Sequence, residues 1–253
     1  MYPVQVCINL TARILPAFDA DPKQGQPLLY SYRRCPYAMR ARMALLLAGQ
    51  PFLVHDVVLR QKPAQLLAIS PKGTVPVLQL PGGEVLEQSW DIMARALQRE
   101  GLAHWWQAAQ TSSNLEALAI NDGEFKRQLD RYKYPERFLG EAATGEQARS
   151  QAALVLLLAL EARLTQHRWL GGEAPCATDL AIFPLVRQFA AVDPAWWAHQ
   201  PWPALRGWLN HWLASPLFNA CMVKVPAAQT VLFPAPAQAA SPFLPEPPAH
   251  HPG

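Results

Sequence analysis

The strongest constraint on this chain is a change of period part-way along it. Between Pro27 and Arg99 short apolar runs alternate with helical patterns; from about Asn114 to Leu217 helical patterns recur and strand signals nearly vanish. In the first stretch "PLLYSY" (27–32) reads as a strand, "YAMRARMALLLAG" (37–49) as a helix closed by Gly49, and "PFLVHDVVL" (51–59) as a second strand. "PAQLLAIS" (63–70) is a short helix. "VPVLQL" (75–80) and "EVLE" (84–87) flank Pro81-Gly82-Gly83, the mark of a hairpin, and "SWDIMARALQRE" (89–100) closes the unit as a helix. The order β-α-β-α-β-β-α leaves room for a parallel crossover between the first two strands and predicts a thioredoxin-like α/β fold.

The organisation that follows is an α/β domain over 27–100, a linker over 101–113 and an all-helical domain over 114–225. Gly101 and the polar run Thr111-Ser112-Ser113 suit a linker. With 253 residues, 51% of them hydrophobic, the chain has apolar material for a sizeable core. Residues 1–26 form an N-terminal extension without a clear period. Frequent prolines make 226–253 a Pro/Ala-rich tail, disordered or loosely docked, in which His250 and His251 read as solvated side chains rather than ligands.

Several function classes recede on simple grounds. The net charge of +3 is spread along the chain without dense basic runs, which argues against a nucleic-acid partner. The most apolar stretch, Ala152 to Leu164, is shorter than the roughly 20 residues of a membrane span and reads as a helix buried on all sides. The first residues lack a basic leader region and Arg13 interrupts their apolar run, so no membrane partner and a cytoplasmic location are expected. Cys7, Cys35, Cys176 and Cys221 lie far apart, with no C-x-x-C pair and no His at ligand spacing; no metal site and no disulfide framework are expected.

Cys35 is the residue that carries chemistry. Pro36 follows it, and proline is favoured at the first helical position, so Cys35 falls at the N-cap. Unsatisfied N–H groups and the positive end of the helix dipole stabilise a thiolate there, and Arg33 and Arg34 stand just before it. The expected pKa is therefore below the free value of about 8.5. Core filling at a strand–helix corner is the structural alternative. Position 38 is alanine, so a dithiol mechanism is missing its resolving thiol, which has to come from another molecule.

Two further stretches suit a thiol-peptide ligand. The Val75–Pro76 bond precedes a strand, leaving backbone able to pair with an extended peptide. Ser89 is placed as a helix N-cap, where N–H groups attract a carboxylate, although ordinary capping is the better account of it taken alone.

With these stretches together the chain resembles the cytosolic glutathione S-transferase superfamily, most closely its bacterial and omega-like members with an active-site cysteine. The resemblance rests on "YRRCPYAMRARMAL", "SPKGTVPVL", "LEQSWDIM" and "PCATDLAIFPLVRQF" with its trailing "PALRGWLNHWLAS", and covers about residues 27–224. It implies a glutathione site on the thioredoxin-like domain, a second-substrate pocket between the domains, and glutathione as co-substrate. It makes Cys35 the reactive cysteine, Pro76 a cis-proline that lets Val75 pair with the glutathione backbone, and Gln88 and Ser89 the pair that holds the γ-glutamyl group. Lys72 falls where such enzymes contact the glycyl end. One departure is visible: the cap position three residues before Asp179, usually Ser or Thr, is Cys176, so either Thr178 caps or the helix loses about 1 kcal/mol.

The residues and the resemblance then predict thiol transfer through Cys35, with mixed disulfides or dehydroascorbate as substrates. Conjugation of glutathione to electrophiles through Ser31 or Tyr32 is the alternative, and a non-catalytic glutathione-binding regulatory protein a third. Lys126, Arg127, Arg131, Lys133 and Arg137 either receive an anionic substrate or line a solvated helix face. The tryptophans are open to three uses: a pocket wall, a homodimer contact, or packing.

Overall fold

The computed structural model describes residues 25–140 and 144–233. The N-terminal extension to residue 24, Cys7, and the His250–His251 pair lie outside the described residues. The expected alternation is present: β1 (Leu28–Ser31), α1 (Pro36–Leu47), β2 (Phe52–Asp56), α2 (Ala64–Ile69), β3 (Val77–Gln79), β4 (Val85–Leu86) and α3 (Ser89–Leu97). β1 and β2 run parallel, with Leu28 beside Leu53, and β3 returns antiparallel to β1, with Leu29 beside Leu78. Two glycines make these turns possible. Gly49, at φ +68°, ends α1 by donating to the Leu46 carbonyl at 2.9 Å, and Gly83, at φ +87°, reverses the β3–β4 hairpin.

Helices follow: α4 (Ala103–Ala108), α5 (Ser112–Ile120), α6 (Lys126–Lys133), α7 (Gly145–Ala152), α8 (Leu158–Gln166), α9 (Ala177–Ala190), α10 (Pro194–Ala198), α11 (Pro203–Ala214) and α12 (Pro216–Cys221). α5 and α6 join through a π-helical turn, Asn121–Phe125, and α7 and α8 through another, Ala153–Leu157. The architecture is thioredoxin-like α/β plus all-helical. One apolar core runs through both halves, because α1 is buried on nearly every face and packs against α3, α9 and α12. No helix among the described residues is long and apolar enough to cross a membrane.

Three expectations need correction. The stretch expected as linker contains α4, whose Trp105 is 2% exposed; an indole drawn into the core overrides the turn signals around it. The helix around Leu154 is not buried on all sides: Leu154 and Leu158 share an exposed face, one turn apart. The tail does not lose regular structure at Pro226, since β5 (Thr230–Phe233) pairs antiparallel with β2 and makes the sheet five-stranded, in the order β4-β3-β1-β2-β5. Thr-Val-Leu-Phe is a proline-free run between Pro226 and Pro234 that finds an unpaired strand edge. Its last residue, Phe233, is buried edge-on against Phe52, with ring centroids 5.6 Å apart.

The tryptophans mostly pack. Trp105, Trp169, Trp197, Trp202, Trp208 and Trp212 are buried in the shared core.

Candidate functional site

Strand β1 delivers the chain to the site and α1 leads it away. Cys35 occupies the N-cap of α1 in extended conformation, with Pro36 at the first helical position, as the Cys-Pro spacing predicts. Its N–H donates to the Tyr32 carbonyl at 2.9 Å, which closes the turn. Its Sγ, half-buried, donates to the Val75 carbonyl at 3.7 Å. The Val75–Pro76 peptide is cis. The fold thus brings together two stretches 40 residues apart that the sequence singled out separately.

The expected low thiol pKa is not what this environment gives. Burial pushes the Cys35 thiol up, outweighing the N–H groups of Ala38 and Tyr37 and the cations of Arg42 and Arg40, which pull it down. The cations are also different ones. The Arg33 backbone N–H donates to the Asp56 carboxylate at 2.9 Å, and the Arg34 guanidinium stands 5.9 Å from the Tyr32 ring centre. Arg40 and Arg42 lie inside α1 and are buried, yet sequence reasoning gave them no role. The signal was there: two arginines at i and i+2 in a helix that, after Pro36 and Tyr37, is otherwise made of Ala, Met and Leu.

Arg40 ties the thiol's helix to both neighbours. Its Nε donates to the Ala181 carbonyl of α9 at 2.6 Å, Nη1 to the Ser89 hydroxyl at 3.5 Å, and both terminal nitrogens to the Asp122 carboxylate. Asp122 lies in the first π-helical turn, where the extra residue re-aims side chains. Ser89 is the first residue of α3 rather than its cap, a position held by Gln88 without a side-chain capping bond. The Ser89 hydroxyl is therefore not engaged in capping, and it sits beside a buried cation. Lys72 is exposed in the turn three residues before Val75, and the nearby Ser70 hydroxyl donates to Glu87 at 2.6 Å.

A cleft of about 380 Å³ opens beside Cys35. Pro36 and Tyr37 line it from α1, Lys126 and Asp130 from α6, Gln188 from α9, and Tyr134, Arg137 and Phe138 from the segment after α6. The basic stretch is thus divided: Lys126 and Arg137 face the cleft, while Arg127 pairs with Glu124 on the surface. Burial, helped by Asp122, lifts the Tyr37 hydroxyl to about 12, so it remains a donor throughout the physiological range. Ser31 does not fit the conjugating role: it is fully buried and its hydroxyl accepts from Arg42 at 3.1 Å.

Both halves of this arrangement match known families. The glutathione S-transferase N-terminal domain model matches residues 29–104, and the C-terminal domain model residues 148–211, together more than half of the chain. The chain belongs to the glutathione S-transferase superfamily. It is 34% identical to rat (Rattus norvegicus) glutathione S-transferase omega-1 over 82 residues, 31% of this chain and 34% of the relative. It is 38% identical to the pyrimidodiazepine synthase of Drosophila melanogaster over 71 residues, 27% of this chain and 29% of the relative. The matches thus span about a third of each of these curated relatives. Among solved structures, a glutathione transferase family member from Pseudomonas fluorescens with two glutathiones bound superposes with a TM-score of 0.63 at 19% identity, covering 79% of this chain and 93% of that one.

The helical half keeps its α9 cap by an unexpected route. With Cys176 at the N-cap, Asp179 reaches back to the Cys176 N–H at 2.9 Å and also accepts the Leu170 N–H at 3.0 Å and the Trp208 indole N–H at 2.8 Å. The carboxylate supplies one half of a capping box, and the Cys176 sulfur supplies the other by taking the Asp179 N–H where a hydroxyl would. Burial and the Asp179 charge push the Cys176 thiol up to about 12, so it stays protonated and inert.

Proposed function

We propose that this chain is a glutathione-dependent thiol transferase whose nucleophile is Cys35. The observation that carries this reading is the thiol at the head of α1, hydrogen-bonded to the Val75 carbonyl and open to a cleft between the two halves. In the first step the Cys35 thiolate attacks the glutathione sulfur of a mixed disulfide. An enzyme–glutathione disulfide forms, the substrate S–S bond breaks, and the other sulfur leaves as thiolate. In the second, the thiolate of free glutathione attacks that disulfide, giving oxidised glutathione and regenerating the Cys35 thiolate. Among the described residues no second thiol is placed to resolve the adduct, since position 38 is alanine and both Cys176 and Cys221 are buried, and free glutathione takes that role.

Glutathione would lie with its cysteinyl backbone along Val75, its γ-glutamyl carboxylate at Gln88 and Ser89, and its glycyl end toward Lys72. The Arg40 guanidinium donates to the Ser89 oxygen at 3.5 Å, which leaves the hydroxyl hydrogen free to donate to that carboxylate. Relatives named as omega-class transferases support this assignment. Incubation with oxidised glutathione, followed by mass measurement and peptide mapping, tests it: one glutathione adduct on Cys35, released by excess glutathione, is the expected result. An unmodified Cys35 overturns the assignment.

A further inference from the structure

The wall of the cleft opposite the thiol constrains the second substrate. Lys126 faces the cleft with its charge already matched, since it pairs with Asp130 on the same helix. Arg137 is different. Its one carboxylate neighbour among the described residues, Glu136, stands at 3.8 Å, with both side chains about two-thirds exposed (65% and 67%). Its guanidinium lies 4.1 Å from the centre of the Tyr134 ring. A guanidinium held over an aromatic face keeps its plane fixed and its N–H edge open, the geometry that receives a planar anion in two parallel hydrogen bonds. The lining that Arg137 shares with the thiol includes three aromatic side chains, Tyr37, Tyr134 and Phe138.

We propose that the thiol this enzyme releases is a small aromatic thiol carrying a carboxylate, its ring among the aromatic side chains and its anion on Arg137. The proposal rests on the thiol-transfer reading and specifies which mixed disulfides that chemistry serves. The cleft's 380 Å³ is at the small end of ligand sites, matching a substituted aryl group.

The test uses the full-length protein and three glutathione mixed disulfides of benzenethiol, substituted at the 4-position with carboxylate, carboxamide or trimethylammonium. Turnover is followed by coupling oxidised glutathione to its reductase, and each rate is divided by that of free glutathione alone to remove leaving-group effects. The carboxylate is expected to exceed the carboxamide about tenfold in normalised kcat/KM, with the cation below both. Arg137→Gln is expected to bring the carboxylate-to-carboxamide ratio to about one. Equal ratios in the native enzyme, or a preference that survives Arg137→Gln, overturn the proposal. If no disulfide is turned over faster than by glutathione alone, the thiol-transfer reading fails instead. Calorimetric titration with the unreactive 4-(methylthio)benzoate then still decides the cleft: binding lost in Arg137→Gln supports an aryl-carboxylate site, and no binding to the native protein refutes it.

Discussion

The return of the chain to the sheet edge makes a sharp prediction about stability. Phe233→Ala removes a ring that is 2% exposed and lies directly opposite Phe52, itself 1% exposed. In a closed core such a truncation costs about 3–5 kcal/mol, part of it for the cavity left behind. Here the cost has a lower ceiling. β5 is an edge strand whose first three residues are exposed or half-buried, so it can undock instead of enclosing a void. What remains is the burial of the ring, about 1.5–3 kcal/mol, with some exposure of Phe52. At about 2–4 °C per kcal/mol for a chain of this size, the melting temperature should fall by roughly 3–12 °C. Phe52→Ala, whose strand is held on both sides by β1 and β5, should cost more. Thermal unfolding by circular dichroism gives the shifts, and hydrogen exchange gives the mechanism: in Phe233→Ala, protection should fall in β2 while that of β1 and β3 persists. A melting temperature within about 1 °C of the native value, with β2 protection intact, would refute the packing argument.

Other perturbations separate the remaining claims. Ser89→Ala should weaken glutathione binding by about 1.5–3 kcal/mol, the loss of one hydrogen bond to a charged group, and calorimetry with unchanged affinity would remove Ser89 from the site. Because burial raises the Cys35 thiol, its thiolate fraction should grow about tenfold per pH unit through neutrality; iodoacetamide alkylation should still be accelerating past pH of about 8.5, and a plateau by about pH 7 would contradict this. Asp179→Ala leaves three N–H donors without their acceptor and should cost about 3 kcal/mol or more in chemical denaturation, with Asp179→Asn intermediate. Stability should decline as pH rises above about 8.5: the unfolded Cys176 ionises there while the folded one, at about 12, does not, so the unfolded state binds fewer protons.

What the sequence revealed and what it hid divide along one physical line. Features set by neighbours in the chain were legible. Cys-Pro marked the head of α1, Pro-Gly-Gly the hairpin, and alternating periods the succession of strands and helices from β1 to α3, because capping, φ restriction and side-chain alternation act over a few residues. β5 was hidden because four residues between prolines become a strand only when an edge is available to pair with. The thiol's pKa was misjudged for the same reason. Local counting credited Arg33 and Arg34, whereas the desolvation that dominates depends on how the folded protein encloses the site, with Lys126, Tyr134 and Gln188 brought to the same cleft from far along the chain.

Arg40 is the strongest case. A guanidinium with no exposed surface is untenable in a helix taken alone, where its desolvation would go unanswered. It becomes tenable once Ala181, Ser89 and Asp122 converge on it, and these come from α9, α3 and a π-helical turn that share no sequence neighbourhood. The same convergence fixes α1 against the helical half and sets the orientation of the turn that presents Cys35. A charged residue inside an apolar helix is therefore informative in its own right: the fold must supply its partners from elsewhere. In this chain those partners sit where the two halves and the candidate site meet.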